Sequence, residues 1–200
     1  MRIFLVNGSP RITGDTNALL AGLDRSFQDQ GERPRLVHAV TLLEGLTTPY
    51  CVNCSTRCEG TCYRGSGLEA FFDDLAGADA LVVASPVHFG TVAAPLKGLW
   101  DLSRKLRLER GLLYTVGAAL AVGAGHYGGQ ETTIRAIHDM MLIQGMILVG
   151  DSRRESVGHQ GVGAESGDDA PARSRLDHLA GAVLAVAGAT TGLRRRSPIK

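Results

Sequence analysis

With 200 residues, 44% of them hydrophobic and 20% charged, the chain has the apolar material for one buried core and is far from the composition of a disordered segment. A formal net charge of +1 excludes a long-range field that would recruit nucleic acid or an anionic bilayer, and neither is an expected partner. No apolar run is long enough for a membrane span, and the amino terminus enters a strand without a basic and then apolar leader, so a cytoplasmic protein is expected.

The apolar run Ile3 to Val6 reads as a strand. It is followed by Asn7-Gly8-Ser9-Pro10-Arg11-Ile12-Thr13-Gly14-Asp15-Thr16-Asn17 and then, from about Ala18, by a stretch with Leu19, Leu20, Leu23 and Phe27 at helical spacing, stopped by Gly31. Strand, glycine-bearing loop and helix start together make an anion site, because the amides of a first helical turn have no backbone partners. Arg11 adds a positive charge, Ser9, Thr13 and Thr16 add hydroxyl donors, and Thr16 and Asn17 are placed to cap the helix. A dinucleotide G-x-G-x-x-G would need glycine where Pro10 stands, and a Walker loop would need lysine where Asp15 follows Gly14. What remains is a site for a phosphate monoester, with Ser9, Arg11, Thr13, Asp15, Thr16 and Asn17 as its candidate ligands.

Leu36 to Val40 reads as a second strand, completing a βαβ unit whose first loop lies at a carboxyl edge of a parallel sheet. From Thr41 to Gly67 the periodicity is lost, in a segment too long for an ordinary connection. It holds every cysteine, Cys51, Cys54, Cys58 and Cys62, spaced C-x2-C-x3-C-x3-C. Four thiolates on one compact loop suit a [4Fe-4S] cubane; zinc takes the same ligands, and free or redox-active thiols are the third possibility.

Leu68, Phe71, Phe72 and Leu75 restore a helical stripe, and Ala80 to Ala84 is a short apolar run expected of a strand covered on both faces. Ser85 to Thr91 forms the loop beyond it, Ala94 to Lys105 the next helix, and Leu112 to Val122 the fourth strand with its lead-in, closing on Gly123 to Gly129. Gln130 to Gln144 is helical, with Glu131 placed to cap it; Trp100, Met140 and Met141 are expected in helix cores. Met146 to Val149 is a fifth strand, 151–173 a mobile Gly, Ser and Asp rich loop, Arg175 to Ala187 the last helix, and 192–200 a solvated basic tail containing Arg194 to Arg196. The whole predicts a single α/β domain, a doubly wound five-stranded parallel sheet in three layers with a cysteine-rich insertion after strand two.

The loops after strands one, three and four then share one edge. Pro86, Val87, His88, Phe89, Gly90 and Thr91 make one wall beside the phosphate site, and Gly125, His126, Tyr127 and Gly128 the other. A planar ring fits between walls where backbone can approach closely and aromatic side chains can cover its face. FMN, with one phosphate and one flat ring, fits such a site, as does any phosphorylated planar ligand. No Ser/His/Asp constellation or metalloprotease motif is present, so no protein side chain is assigned as catalytic and the chemistry is left to cofactors.

Asn-Gly-Ser-Pro-Arg at 7–11 with Thr16-Asn17, Ser-Pro-Val-His-Phe-Gly-Thr at 85–91 with Leu96-Lys97, and Gly-Gly-Gln-Glu-Thr-Thr at 128–133 resemble the NADPH-dependent FMN reductase superfamily, and most of all its iron-sulfur flavoprotein branch. The resemblance covers roughly residues 1 to 150. It implies a flavodoxin-like fold, FMN held at the phosphate by Ser9, Arg11, Thr16 and Asn17, a ring bordered by Pro86 to Thr91 and Gly125 to Gly128, and assembly as a homodimer or homotetramer. It further implies electron flow among a cluster, FMN and a small-molecule acceptor or donor, with NAD(P)H or a ferredoxin-like protein as electron source. A cluster-free NAD(P)H-dependent FMN or quinone reductase and a non-enzymatic electron carrier are the alternatives. Two departures stand out. His88 occupies a position where the branch usually shows tyrosine, and the second cysteine spacer is three residues where the branch usually has two.

Overall fold

The computed structural model describes residues 1–151 and 160–195. Five parallel strand positions form the centre, ordered β2-β1-β3-β4-β5, with β1 Ile3–Asn7, β2 Arg35–His38, β3 Ala80–Pro86, β4 Val116–Val122 and β5 Ile147–Leu148. Alternation decides the layers. Phe4 and Val6, Leu81 and Val83, and Ala119 and Ala121 turn to one face, whereas Ile3 and Leu5, Val82 and Ala84, and Ala118 and Leu120 turn to the other.

The first face is covered by α2 Ala39–Leu43, α3 Gly67–Leu75, α4 Ala94–Leu102, α5 Arg104–Leu108 and α6 Gln130–Ile143; the second by α1 Asp15–Asp29, α7 Ala170–Arg173 and α8 Leu176–Ala189. Each helix presents the apolar stripe its spacing predicts. Leu19, Leu20, Leu23 and Phe27 of α1 are all fully buried, each such side chain contributing about 1.5–3 kcal/mol by removal from water. Met141 lies in the core, with Trp100 and Met140 packed against it, as expected. Among the described residues no helix is long and apolar enough to cross a membrane.

Several elements differ from the expectation. The second strand ends at His38, and Val40 lies in a short helix instead, because the chain must turn down over the sheet to reach α4. The helix expected over 94–105 is broken at Ser103, whose hydroxyl bonds the Trp100 carbonyl and separates α4 from α5. The fifth strand is only two residues long beside Val116 and Gly117, and the same edge of β4 is completed by β6 Val162–Ala164, which pairs with Leu120 to Val122. Residues 160–173 are therefore not the loop expected: they hold β6 and α7, fixed by main-chain pairing that no local pattern announces. The rest of that predicted loop, 152–159, lies outside the described residues.

The basic tail is likewise not wholly solvated. Thr191–Arg195 forms a further short helix, α9, and the Arg194 side chain turns inward, only 7% exposed, donating to the Asp79 carboxylate and the carbonyl of Ala187. Arg196 lies outside the described residues.

Candidate functional site

β1, β3 and β4 end at one edge, and their loops meet there. Gly8 donates to the Ala84 carbonyl at 2.8 Å, and a Cβ on it would stand 2.7 Å from Leu96 Cβ and 2.9 Å from that carbonyl oxygen. Only glycine lets the first loop leave β1 so close to β3 and α4. Beyond it the loop organises itself around Asn7, which is wholly buried. Its Oδ1 accepts from the Ser9 amide at 2.9 Å, and its Nδ2 reaches the Arg11 carbonyl at 3.4 Å and His38 Nδ1 at 3.1 Å. The Ser9 hydroxyl accepts from the Arg11 amide at 3.1 Å and keeps its own proton to donate.

Gly14, at φ 131°, is the N-cap of α1, and among the described residues no side chain caps the helix. Thr16 and Asn17 thus lie inside the first turn and are not its caps, because the helix begins three residues before the first apolar position. The Arg11 guanidinium lies over Gly14, 3.6 Å from where a Cβ would be, and Thr13 is exposed beside it. An uncapped turn with positive dipole, a cation and hydroxyls at its mouth is the donor set a phosphate takes. The residues present therefore fit FMN at its phosphate. Asp15 serves elsewhere, its Oδ1 accepting from the Gly167 amide at 3.0 Å and so tying α1 to the turn after β6.

The second wall follows β3. Ser85 donates to the Pro86 carbonyl and accepts from Ala93, and Val87 donates to the Val122 carbonyl at 2.8 Å, so Pro86 and Val87 stay attached to the sheet. His88 and Thr91 exchange both main-chain bonds across a tight turn, with Phe89 at φ 50° and Gly90 at φ 75°. A bulky residue in the left-handed region costs about 1 kcal/mol or more and concentrates at ligand sites. Phe89 is held there fully exposed, and on the third loop Tyr127 is 97% exposed. Two solvated aromatics at one sheet edge are the surfaces on which a planar ring stacks.

The third wall, Gly125, His126, Tyr127 and Gly128, is shaped by a residue to which the sequence assigned no role. Gln130 is buried, and its Nε2 lies 2.8 Å from the Gly125 carbonyl, 3.3 Å from that of Ala164 and 3.4 Å from that of Gly123. Thr132 donates to the Gly90 carbonyl at 2.7 Å and links this loop's helix to the second wall. Asn7, His38, Gln130 and Thr132 are thus the positioning residues that sequence reasoning missed, although Gln130 and Thr132 stand in the Gly-Gly-Gln-Glu-Thr-Thr block. Glu131 lies in the first turn of α6, which begins at Gly129 without a side-chain cap.

The cysteine loop rests on α4 and α5. A Cβ on Gly98 would fall 2.4 Å from the Pro49 carbonyl oxygen, so the lead-in rests directly on α4. Arg104 of α5 donates to Asn53 Oδ1 and, at 3.0 Å, to the Thr56 carbonyl. The four thiols are free; Cys51 and Cys58 are half-buried, Cys54 and Cys62 exposed. Burial raises the Cys62 thiol above its ordinary range, and the charges of Cys58, Cys54 and Cys51 raise it further. Burial, with Cys58 and Cys62 next, likewise raises Tyr63. The thiols feel one another, and their chemistry suits a thiolate-ligated centre, which would relieve that repulsion. Among the described residues, however, no three Cys, His, Asp or Glu side chains are gathered as a metal ion would require.

The family model for the NADPH-dependent FMN reductases matches residues 1–155. The chain is 37% identical over 170 residues to an iron-sulfur flavoprotein of Methanocaldococcus jannaschii, covering 84% of this chain and 86% of that protein. It is 35% identical over 153 residues to an iron-sulfur flavoprotein of Methanosarcina thermophila, covering 76% and 78%. An NAD(P)H dehydrogenase (quinone) of Trichlorobacter lovleyi is 43% identical over 81 residues, 40% of each chain. Among solved structures, a flavodoxin, WrbA-like protein from Agrobacterium tumefaciens superposes with a TM-score of 0.67 at 16% identity, covering 94% of this chain and 99% of that one. An archaeal flavodoxin does so at 0.60 and 13%, covering 96% and 99%, and the two together establish the flavodoxin-like fold. With the three loops at one sheet edge and the family match running through all of them, the chain belongs to the NADPH-dependent FMN reductase family, in company with its iron-sulfur flavoproteins, and is a flavin-dependent oxidoreductase.

Proposed function

We propose that the chain holds FMN with its phosphate at the start of α1, on Ser9, Arg11, Thr13, Thr16 and Asn17, and its ring between Pro86 to Thr91 and Gly125 to Gly128. The observation that carries this reading is the uncapped first turn of α1 with the Arg11 guanidinium over it. Bound there, FMN supplies the exchange between one-electron and two-electron chemistry, and the protein supplies distance, orientation and exclusion of water. Cys51, Cys54, Cys58 and Cys62 hold a [4Fe-4S] cluster in this reading, supported by the continuous run of free thiols and by the names of the relatives. Electrons come from NAD(P)H or a ferredoxin-like donor and leave to a small-molecule acceptor, and the molecule works as a homodimer or homotetramer.

A second reading, a cluster-free NAD(P)H-dependent quinone reductase with the cysteines on zinc or as thiols, is favoured by the quinone dehydrogenase relatives. The visible spectrum of anaerobically purified protein, before and after dithionite, with iron and acid-labile sulfide measured on the same sample, separates the two. Equal iron and sulfide with a broad bleaching shoulder under the flavin bands supports the cluster. A clean flavin spectrum without iron leaves the simple reductase. Arg11→Ala should weaken FMN retention about tenfold in either case, as expected for one charge-assisted phosphate contact of about 1.5 kcal/mol, measured by flavin fluorescence on dilution.

A further inference from the structure

β1 and β2 end side by side, with Asn7 paired to His38 in the parallel register. Asn7 has no exposed surface, so every polar atom of its amide must be satisfied within the protein. The Ser9 main chain decides which end of that amide is which: an N–H can only donate, so the atom it meets at 2.9 Å is Oδ1. The other end is then the nitrogen, with two hydrogens to place and two acceptors in reach, the Arg11 carbonyl at 3.4 Å and His38 Nδ1 at 3.1 Å. An amide nitrogen has no lone pair to offer. His38 Nδ1 must therefore carry one, and the proton of the neutral ring sits on Nε2.

The consequence falls on the phosphate loop. Asn7 draws the Arg11 carbonyl inward, which keeps an acceptor oxygen off an anion, while the Arg11 amide is committed to the Ser9 hydroxyl oxygen. What remains for a phosphate is the Ser9 hydroxyl proton and the Arg11 guanidinium over Gly14. A proton on His38 Nδ1 would set donor against donor. Turning the Asn7 amide over would relieve that clash only by setting Nδ2 against the Ser9 N–H. We propose that the half-buried His38 is the positioning residue of the phosphate loop through Asn7, and that the loop holds FMN tightly only with His38 as the neutral Nε2–H tautomer. This rests on the flavin reading above.

Two measurements on the full chain test the proposal. In 15N-histidine spectra of the FMN-loaded protein in mildly alkaline buffer, with His38→Asn identifying the signal, His38 should show a bare Nδ1 and a protonated Nε2. In Asn7→Asp, whose carboxylate still accepts from Ser9 but has no hydrogen to give, the same ring should change to the Nδ1–H tautomer. In fluorescence titrations, His38→Leu, which removes the acceptor at similar size, should lower the preference for FMN over riboflavin about tenfold, as loss of one buried hydrogen bond predicts. His38→Asn should restore that preference to within about threefold of wild type, because its Oδ1 stands where Nδ1 stood and accepts in its place. An Nδ1–H ring in the wild type, an Nε2–H ring persisting in Asn7→Asp, or a preference for FMN unmoved in His38→Leu overturns the proposal while leaving the flavin reading standing. A wild-type protein that binds riboflavin as tightly as FMN, or binds neither, overturns the phosphate site and the role of His38 with it.

Discussion

The phosphate edge and the cysteine loop are built in opposite ways. At the edge nearly every polar group that shapes the loops is already satisfied within the protein: Asn7 holds Ser9 and Arg11, Gln130 reaches three carbonyls, and Thr132 fastens one wall to the other. Among the described residues, the segment 47–59 makes no backbone–backbone hydrogen bond and rests on the seat at Gly98 and on two bonds from Arg104, with its thiols exposed or half-buried. A preorganised site binds without an ordering cost, whereas a loop with so few internal bonds would take its closed geometry from the centre proposed for its thiols. Damage at the edge should therefore lower global stability and flavin affinity together, and damage in the cysteine loop should remove a bound metal centre while the fold stands.

The largest expected effect is at Gly8. Gly8→Val drives a branched side chain into Leu96 and the Ala84 carbonyl, and urea unfolding should show a loss of about 3 kcal/mol together with loss of FMN. Gln130→Ala removes one amide donor shared by three carbonyls; those of Gly125 and Ala164 keep the main-chain amides of Gly128 and Gly123, and that of Gly123 loses its side-chain donor, so the change costs about 1 kcal/mol and should weaken FMN binding in titration, because the third wall loses its anchor. If this change left flavin affinity intact, the three loops of the edge would not act as a single unit.

A smaller effect belongs to His138, buried on α6 with its Nε2 unpartnered among the described residues. Burial lowers its pKa from the ordinary 6.5, partly countered by Asp139. The native state thus favours the neutral ring, so its contribution is present above the unfolded pKa and is lost as pH falls below it. The wild type should lose stability on going from about pH 7 to about pH 5, and His138→Gln should flatten that slope in thermal unfolding scans. Smallest for the fold is Cys54→Ala: an exposed side chain changes unfolding free energy by less than about 0.5 kcal/mol, yet the iron content measured on purified protein should fall to background. A marked loss of stability there would mean that the cysteine loop belongs to the folding unit.

Much of this architecture is legible locally. Strands covered on both faces announce themselves as short apolar runs, as at Ala80 to Ala84, and helices as stripes such as Leu19, Leu20, Leu23 and Phe27. The three loop motifs could be placed on one edge from element order alone. The beginning of α1 was less legible, because it is capped by backbone geometry at Gly14, and no side-chain signal marks it. β6 was not legible at all: Val162-Gly163-Ala164 is too short and too ordinary to read as a strand, and it becomes one only because β4 has an unpaired half to offer.

The sequence by itself determined the alternation of strands and helices, the glycine-bearing loop with Arg11 between β1 and α1, and the cysteine spacing, because each depends on residues adjacent along the chain. Only the tertiary structure decided that Asn7 and His38 would meet, that Gln130 would hold both Gly125 and Ala164, that Asp15 would serve the turn at Gly167, and that His126 would face Glu165. Those pairs lie up to 152 positions apart, and side chains so distant in sequence acquire a relation only when the sheet brings the ends of its strands to one edge.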